Sequence, residues 1–98
     1  MARFDVYRFP GEPWLLDCQT DLLDYVETRL VVPLIPLAAV RRRIERLNPV
    51  FRIDDEDLVM MTPLMAAVPI EILRRRFISL RDRQDVIMNA IDMLLSGF

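Results

Sequence analysis

The chain has 98 residues, 53% of them hydrophobic and 29% charged, which excludes a disordered chain and fits a single domain spanning residues 1–98. It has no histidine and one cysteine, which excludes nucleophile systems and metal sites that rely on histidine, and also an internal disulfide. With 13 basic residues, all arginine, against 15 acidic ones, the net charge of −2 argues against a general polyanion binder.

The apolar share is high for a chain of this size. A domain this small leaves about a third of the surface of its unfolded chain in water, so its own core has little room for so many apolar side chains. We therefore expect part of the apolar surface to contact a partner, and a homodimer is the simplest one. The longest apolar stretches, residues 30–40 and 58–73, are too short or too interrupted to span a bilayer. These features predict a cytoplasmic protein without a membrane partner, and the single cysteine fits a reducing compartment.

Seven prolines lie between residues 10 and 69, and their spacing predicts a body rich in short β-strands. Residues 3–8 and 14–20 are predicted strands of a hairpin, joined by a turn at 10–13. Residues 29–34 form a continuous apolar run, which is typical of a strand covered on both faces. Residues 51–53 and 58–62 are predicted to form a second hairpin around the acidic turn 54–57, which lacks the glycine and distal glutamate of a calcium loop.

Residues 37–47 allow two interpretations. Val40, Ile44 and Leu47 have helical spacing, which favours a helix, but they would also serve as anchors of a long loop. The proline-free tail is clearer, because a polar stripe at steps of three and four predicts a helix; it comprises Asp82, Asp85, Asn89, Asp92 and Ser96. The rest of 86–95 is apolar, so we expect this helix to contact both its own core and a partner, and Gly97 to cap it.

Few residues indicate chemistry. Two arginine clusters, 41–43 with Arg46 and 74–76 with Arg81 and Arg83, could bind phosphate or an acidic partner segment, or could simply be solvated charge. The lack of interleaved aromatic residues argues against nucleic acid. Asp17 is expected to face water on a strand, and Cys18 to be a buried, inert thiol. No catalytic residue, metal ligand or cofactor is predicted.

Several short motifs, in this order and spacing, resemble those of the CcdB family, the toxins of plasmid and chromosomal toxin–antitoxin systems. The matching pieces are Phe4-x-Val6-Tyr7, Gln19-Thr20-Asp21, Val32-Pro33-Leu34, Met60-Met61-Thr62, Met65-Ala66-x-Val68-Pro69 and Asn89-Ala90-Ile91. The resemblance implies a mainly β (α+β) fold, an SH3-like antiparallel β-barrel with a small extra sheet and a C-terminal α-helix. It also implies a homodimer whose helices lie near the two-fold axis.

The resemblance further implies a protein that binds the A subunit of DNA gyrase and traps the cleaved-DNA complex without catalysis of its own. A CcdA-like antitoxin with a disordered tail would neutralise it, and no sequence-specific nucleic-acid binding is implied. By the same matching, the gyrase-binding residues are Phe4, Tyr7, Thr20, Leu22, Asp92, Leu95, Ser96, Gly97 and Phe98. The residues at the dimer interface are Ala90, Ile91, Met93 and Leu94.

The sequence departs from the family at its end. Family members commonly end in Trp-Gly-Ile, with a tryptophan that stacks on a gyrase arginine, whereas this chain has Ser96, Gly97 and Phe98. In addition, Asp92 replaces a neutral asparagine. These differences leave open a homologue that binds only the antitoxin. A third possibility is an endoribonuclease similar to MazF, using Arg52 or Asp17 on the same fold.

Overall fold

The structure, a computed structural model, describes residues 2–97 as seven strands, five short 3-10 helices and one α-helix. The strands are β1 (Asp5–Tyr7), β2 (Trp14–Asp17), β3 (Thr28–Pro36), β4 (Val50–Ile53), β5 (Glu56–Met60), β6 (Ala66–Pro69) and β7 (Arg76–Ser79). The helix, α1, spans Gln84–Ser96. None of the helices within residues 2–97 has the length and apolar character that crossing a bilayer requires.

The long strand β3 organises an antiparallel sheet. On one side it pairs with β2, and β1 and β7 follow outward from there. On the other side its two halves have different partners: the first half pairs with β6, and the end pairs with β5, beyond which lies β4. The sheet therefore branches at β3, and β6 forms a short side branch of it.

The alternation of side chains along the strands separates two faces. One face packs against α1 through Ile87, Ala90 and Ile91, which meet Val32 and Leu34 of β3 in the main core. The opposite face carries a smaller apolar cluster of Tyr7, Val31 and Leu73. The predicted class, a mainly β antiparallel fold with one C-terminal helix, is thus confirmed.

The element boundaries differ from the predicted ones. The strands predicted at 3–8 and 14–20 are shorter than predicted, and the one at 29–34 is longer. Strands β6 and β7 were not predicted, because proline and arginine interrupt their apolar pattern. Residues 37–47 form a loop after a single 3-10 turn at Leu37–Ala39, so the loop interpretation holds and the helix interpretation is wrong. The α1 stripe is exposed throughout, and Gly97 caps the helix with φ 77°, as predicted.

The second hairpin has a tighter turn than predicted. Ile53 pairs with Glu56, so the loop contains only Asp54 and Asp55, and Glu56 already belongs to β5. Both loop residues have positive φ, 52° and 61°. Two-residue loops favour this geometry because it matches the twist of the strands, but it suits glycine or asparagine better than aspartate. The hairpin therefore carries local backbone strain.

Replacing Asp55 by glycine should relieve this strain. We expect Asp55→Gly to raise the free energy of unfolding by about 0.5–1 kcal/mol, because glycine adopts positive φ without a Cβ clash. Urea denaturation would measure the change. The control is Glu12→Gly, which removes an acidic side chain from an exposed turn where φ is not positive, and should not stabilise the protein. A lower stability of Asp55→Gly would contradict the explanation.

Candidate functional site

The C-terminal end of α1 presents four of the nine predicted gyrase-binding residues to solvent. Asp92, Leu95, Ser96 and Gly97 are all exposed, and Leu95 is 73% exposed. A large apolar side chain so open to water is available for burial against a partner, which would contribute about 1.5–3 kcal/mol. Phe98 lies outside the described residues.

A second group of predicted residues lies at the other end of α1. Phe4, Thr20 and Leu22 line a depression of about 230 Å³, whose wall includes Gln84, the first residue of the helix. Arg3 runs from this depression along the helix, and its guanidinium lies 3.0 Å from the Met88 sulfur. Leu22 is 84% exposed, so this end also offers an apolar side chain to a partner.

The structure does not bring the two groups together within one chain. Ser96 follows Gln84 by twelve helical residues, which corresponds to about 18 Å along the axis. Phe4 and Tyr7 differ from the others because both are buried, Phe4 in the main core and Tyr7 in the cluster on the opposite face. Both side chains therefore offer little surface to a partner.

The residues predicted at a dimer interface also fall into two groups, buried and accessible. Ala90 and Ile91 are buried in the chain's own core, whereas Met93 is half-buried and Leu94 is exposed. The inner part of the apolar arc of α1 thus packs on the sheet, and its outer part remains open. Leu94 and Met93 are the side chains of this set that remain accessible to a second chain.

Asp17 contradicts its predicted position. It is fully buried rather than facing water, and its Oδ2 accepts a hydrogen bond of 2.8 Å from Nε of Arg29, which is 1% exposed. Both residues lie on the sheet face opposite α1, next to Tyr7. A carboxylate on a strand normally faces water, but here a buried arginine on the neighbouring strand pairs with it. The carboxylate of Asp17 consequently cannot reach a substrate, which argues against the ribonuclease alternative.

Arg52, the other residue of that alternative, is exposed and pairs with Asp57 across the second hairpin, with 3.2 Å between Nη1 and Oδ1. It lies on β4, which β5 and β3 separate from β2, the strand that carries Asp17. Within the part of the chain that the structure describes, no three histidine, cysteine or carboxylate side chains are grouped to hold a metal ion.

The buried pair also fixes the loop that carries Thr20 and Leu22. Nη2 of Arg29 donates to the backbone oxygen of Gln19, 3.1 Å away, and to Oδ1 of Asp21, 3.3 Å away. That carboxylate oxygen in turn accepts a hydrogen bond of 2.9 Å from the backbone of Arg3. Arg29 therefore connects the sheet interior to the start of this loop.

The amide of Gln19 completes the fixation of the loop. Its nitrogen donates to the backbone oxygens of Leu23 and Thr28, and its oxygen accepts from the backbone of Leu30. The loop is thus bound at both ends. These bonds keep it ordered although Leu22 and Tyr25 are largely exposed to solvent. Sequence reasoning did not identify Arg29 or Tyr25; the only signal was an arginine directly preceding the apolar run of β3.

Tyr7 and Cys18 are two of the buried groups whose pKa values are shifted. Burial raises the pKa of Tyr7 from 10.0 to about 12, and the nearby carboxylates of Asp5 and Asp17 add to the shift. Burial likewise raises the pKa of the Cys18 thiol from 9.0 to about 12, with a further contribution from Asp17. Since the thiolate is the reactive form, Cys18 is inert at neutral pH, as the sequence predicted.

The fold defines the class of the protein as a small, mainly β domain with one C-terminal helix whose last turns are exposed. A family model described as CcdB protein matches residues 3–97. The chain therefore belongs to the CcdB family. Family membership supports a toxin of a toxin–antitoxin system, which confirms the resemblance inferred from the motifs.

A double-mutant cycle would measure the buried pair. We expect Arg29→Met or Asp17→Leu alone to lower the free energy of unfolding by about 3–5 kcal/mol, because each leaves a buried charge without its partner. The double variant should lose less than either single variant. Urea denaturation would measure all three.

The exposed Arg52–Asp57 pair provides the matched control for that cycle. Arg52→Met removes the same chemical group from an ion pair that water screens, so it should cost less than about 1 kcal/mol. If Arg29→Met and Arg52→Met lower the free energy of unfolding equally, burial does not increase the contribution of the Asp17–Arg29 pair to stability.

The pKa shifts predict alkaline destabilisation. Both groups bind their protons more tightly in the folded chain, so their contribution to stability is complete below about pH 9 and is lost as pH rises towards about 12. Between the pKa of each group in the unfolded chain and its pKa in the folded chain, the free energy of unfolding should fall by up to about 1.4 kcal/mol per pH unit. The chain has no lysine, so few other groups titrate there.

Urea denaturation at a series of pH values would test this expectation. Tyr7→Phe should remove the loss that begins near pH 10, and Cys18→Ala the loss that begins near pH 9. A wild-type stability that stays constant from about pH 8 to pH 11 would show that neither group is buried as described.

Proposed function

We propose that this protein is a CcdB-type toxin that binds the A subunit of DNA gyrase and stabilises the cleaved-DNA complex, and that a protein antitoxin neutralises it. Family membership over residues 3–97 supports the toxin class. The observation that carries the proposal further is the exposed C-terminal end of α1. There, Leu95 is 73% exposed and Leu94 is 36% exposed, so both large apolar side chains keep surface open to solvent.

The end of α1 suits a role as a rigid contact element. Gly97 ends the helix in the left-handed conformation, and its backbone N–H donates to the oxygen of Met93, so the last turn is closed. The inner face of the helix is fixed in the core by Ile87 and Ile91. A partner that buries Leu95 therefore gains apolar contact without having to order the helix first.

We also propose that the active form is a homodimer. Leu94 and Met93 are the interface residues that the chain leaves accessible, and Ala90 and Ile91 support them from the core. In a symmetric dimer the same patch meets itself, so one exposed leucine per chain becomes a leucine pair. A two-fold axis beside Leu94 would place two copies of Leu95 and Ser96 next to each other and so create a double contact surface.

The loop surface around Leu22 is the second part of the proposed gyrase contact. Leu22 and Thr20 lie beside Arg3 and Arg81, so this end combines an exposed apolar side chain with positive charge. Arginine and apolar anchors together are typical of the centres of protein interfaces. The buried Asp17–Arg29 pair holds the loop in this position.

Ser96 supports a second candidate function. The position is exposed at the end of α1, where family members carry an aromatic ring, and serine provides neither the ring nor a cation–π contact. A protein that binds its antitoxin but no longer traps gyrase is consistent with this change. The two candidates differ in one measurable property, the stabilisation of cleaved DNA.

The test is a cleavage assay with purified gyrase and supercoiled plasmid. The wild-type protein should increase linear DNA after denaturation of the complex, and Leu95→Ser should reduce this effect about tenfold or more, because it removes the exposed apolar contact. Deletion of residues 96–98 should abolish it. Ile72→Ser, which removes an exposed apolar side chain elsewhere, is the matched control and should remain active.

Sedimentation of the same variants separates the two proposed roles. Leu94→Ser should dissociate the dimer, whereas Leu95→Ser should remain dimeric. A wild-type protein that fails to stabilise cleaved DNA but binds an antitoxin would favour the second candidate. A monomeric wild-type protein would contradict the proposed surface.

A further inference from the structure

A surface loop unrelated to the proposed gyrase contact concentrates positive charge. Residues 41–46, here called the arginine loop, contain Arg41, Arg42, Arg43 and Arg46, with one glutamate between them. All of these side chains are exposed. The loop lies between β3 and β4, on a segment without regular secondary structure after the turn at Leu37–Ala39.

The arginine loop is not neutralised by its own chain. The chain has 15 acidic residues, yet among residues 2–97 none has a carboxylate within 4.0 Å of any of these four guanidinium groups. Four like charges in six residues repel one another, and folding has not brought acids to offset them. The positive charge is therefore available to a molecule from outside.

The loop is held in place by a buried side chain. Asn48 is 7% exposed; its Oδ1 accepts from the backbone of Ile44 and its Nδ2 donates to the backbone oxygen of Met60, both at 3.1 Å. Nη1 of Arg43 donates to the backbone oxygen of Asn48, and the Thr62 hydroxyl donates to that of Leu47. Two of these hydrogen bonds close the segment 43–48 on itself, and the other two bind it to Met60 and Thr62 at and just after the end of β5. A surface fixed in this way loses less conformational entropy when it binds a partner.

The loop also has an apolar contact point. Ile44 is 54% exposed and lies between the arginines, where it lines an open depression of about 630 Å³ with Arg41, Arg42, Arg43 and Asn48. Positive charge around one exposed aliphatic side chain is complementary to a segment that alternates carboxylates with apolar residues.

We propose that the arginine loop is a docking site for an acidic segment of a partner protein, with carboxylates on Arg41, Arg42 and Arg46 and an apolar side chain on Ile44. Guanidinium groups form charge-assisted, often bidentate hydrogen bonds with carboxylates. The inference does not depend on gyrase binding, because the site contains no residue of the proposed gyrase contact.

Nucleic acid is the less suitable occupant. Residues 37–49 contain no aromatic side chain on which a base could stack. In addition, Leu37 and Ala38, which precede the loop, share a depression with Asp55 and Asp57 of the acidic hairpin. These acids repel any anion that extends past the loop, so the acidic segment of the partner must end at the arginine loop itself.

The test uses the full chain and a fluorescein-labelled twelve-residue peptide of the repeat Glu-Asp-Leu. Fluorescence anisotropy should show binding at physiological ionic strength, and the same peptide with Gln and Asn in place of its acids should not bind. Arg41→Gln/Arg42→Gln should weaken binding about tenfold or more, because two charge-assisted contacts are lost. The matched control, Arg74→Gln/Arg75→Gln, removes equal charge from the other exposed cluster and should change affinity less than threefold.

The other outcomes decide against the proposal. Equal weakening in both double variants would show that the peptide responds to overall charge only. Duplex DNA of twelve base pairs that binds more tightly than the peptide, and loses affinity in Arg41→Gln/Arg42→Gln, would assign the loop to nucleic acid. Absence of peptide binding would also overturn the proposal, and none of these results would affect the cleavage assay of the proposed function.

Discussion

The buried ion pair between Asp17 and Arg29 is the interaction on which the outer face of the sheet depends. Removing either charge from water costs several kcal/mol, so the pair is stable only while its hydrogen bonds are complete. The 2.8 Å contact between the two side chains meets part of this requirement, and the backbone oxygen of Gln19 meets another part. Nη1 of Arg29 has no hydrogen-bond partner within residues 2–97, which leaves little tolerance for further loss. The loop after β2 must therefore remain where it satisfies the guanidinium.

This requirement connects packing to the proposed function. The same loop carries Leu22 at one end of α1, while the core fixes α1 from the other face of the sheet and leaves Leu95 exposed at its far end. The two apolar anchors are held independently, one by a polar network and one by hydrophobic packing. They lie at opposite ends of α1, which rises about 18 Å from Gln84 to Ser96; that length exceeds a small ligand but suits a protein partner, whose interfaces commonly extend over 20–30 residues.

The sequence predicted those features that depend on local pattern. The helix at the C-terminus, its exposed stripe and its glycine cap follow from periodicity, and the two hairpins follow from β-forming residues around turns. The sequence did not predict features that depend on contacts between distant residues. Asp17 is buried because it pairs with Arg29, which lies twelve residues later on a neighbouring strand. Strands β6 and β7 pair with distant partners, and their own composition gave no alternation to recognise them. The family motifs indicated candidate site residues, but not how these divide between the two ends of α1.

The contrast between Arg29 and the arginine loop shows how burial decides what a charge can do. A buried guanidinium must be paired within the chain, so Arg29 is used for structure and is inaccessible to any partner. An exposed guanidinium is already solvated, so the chain loses little by leaving Arg41 and Arg42 unpaired. Beneath the arginine loop the chain has a buried asparagine, Asn48, whose side chain hydrogen-bonds the backbone and so fixes it under the charges. A loop that is fixed but not neutralised keeps its guanidinium groups in one arrangement, which suits the proposed docking of a partner's carboxylates.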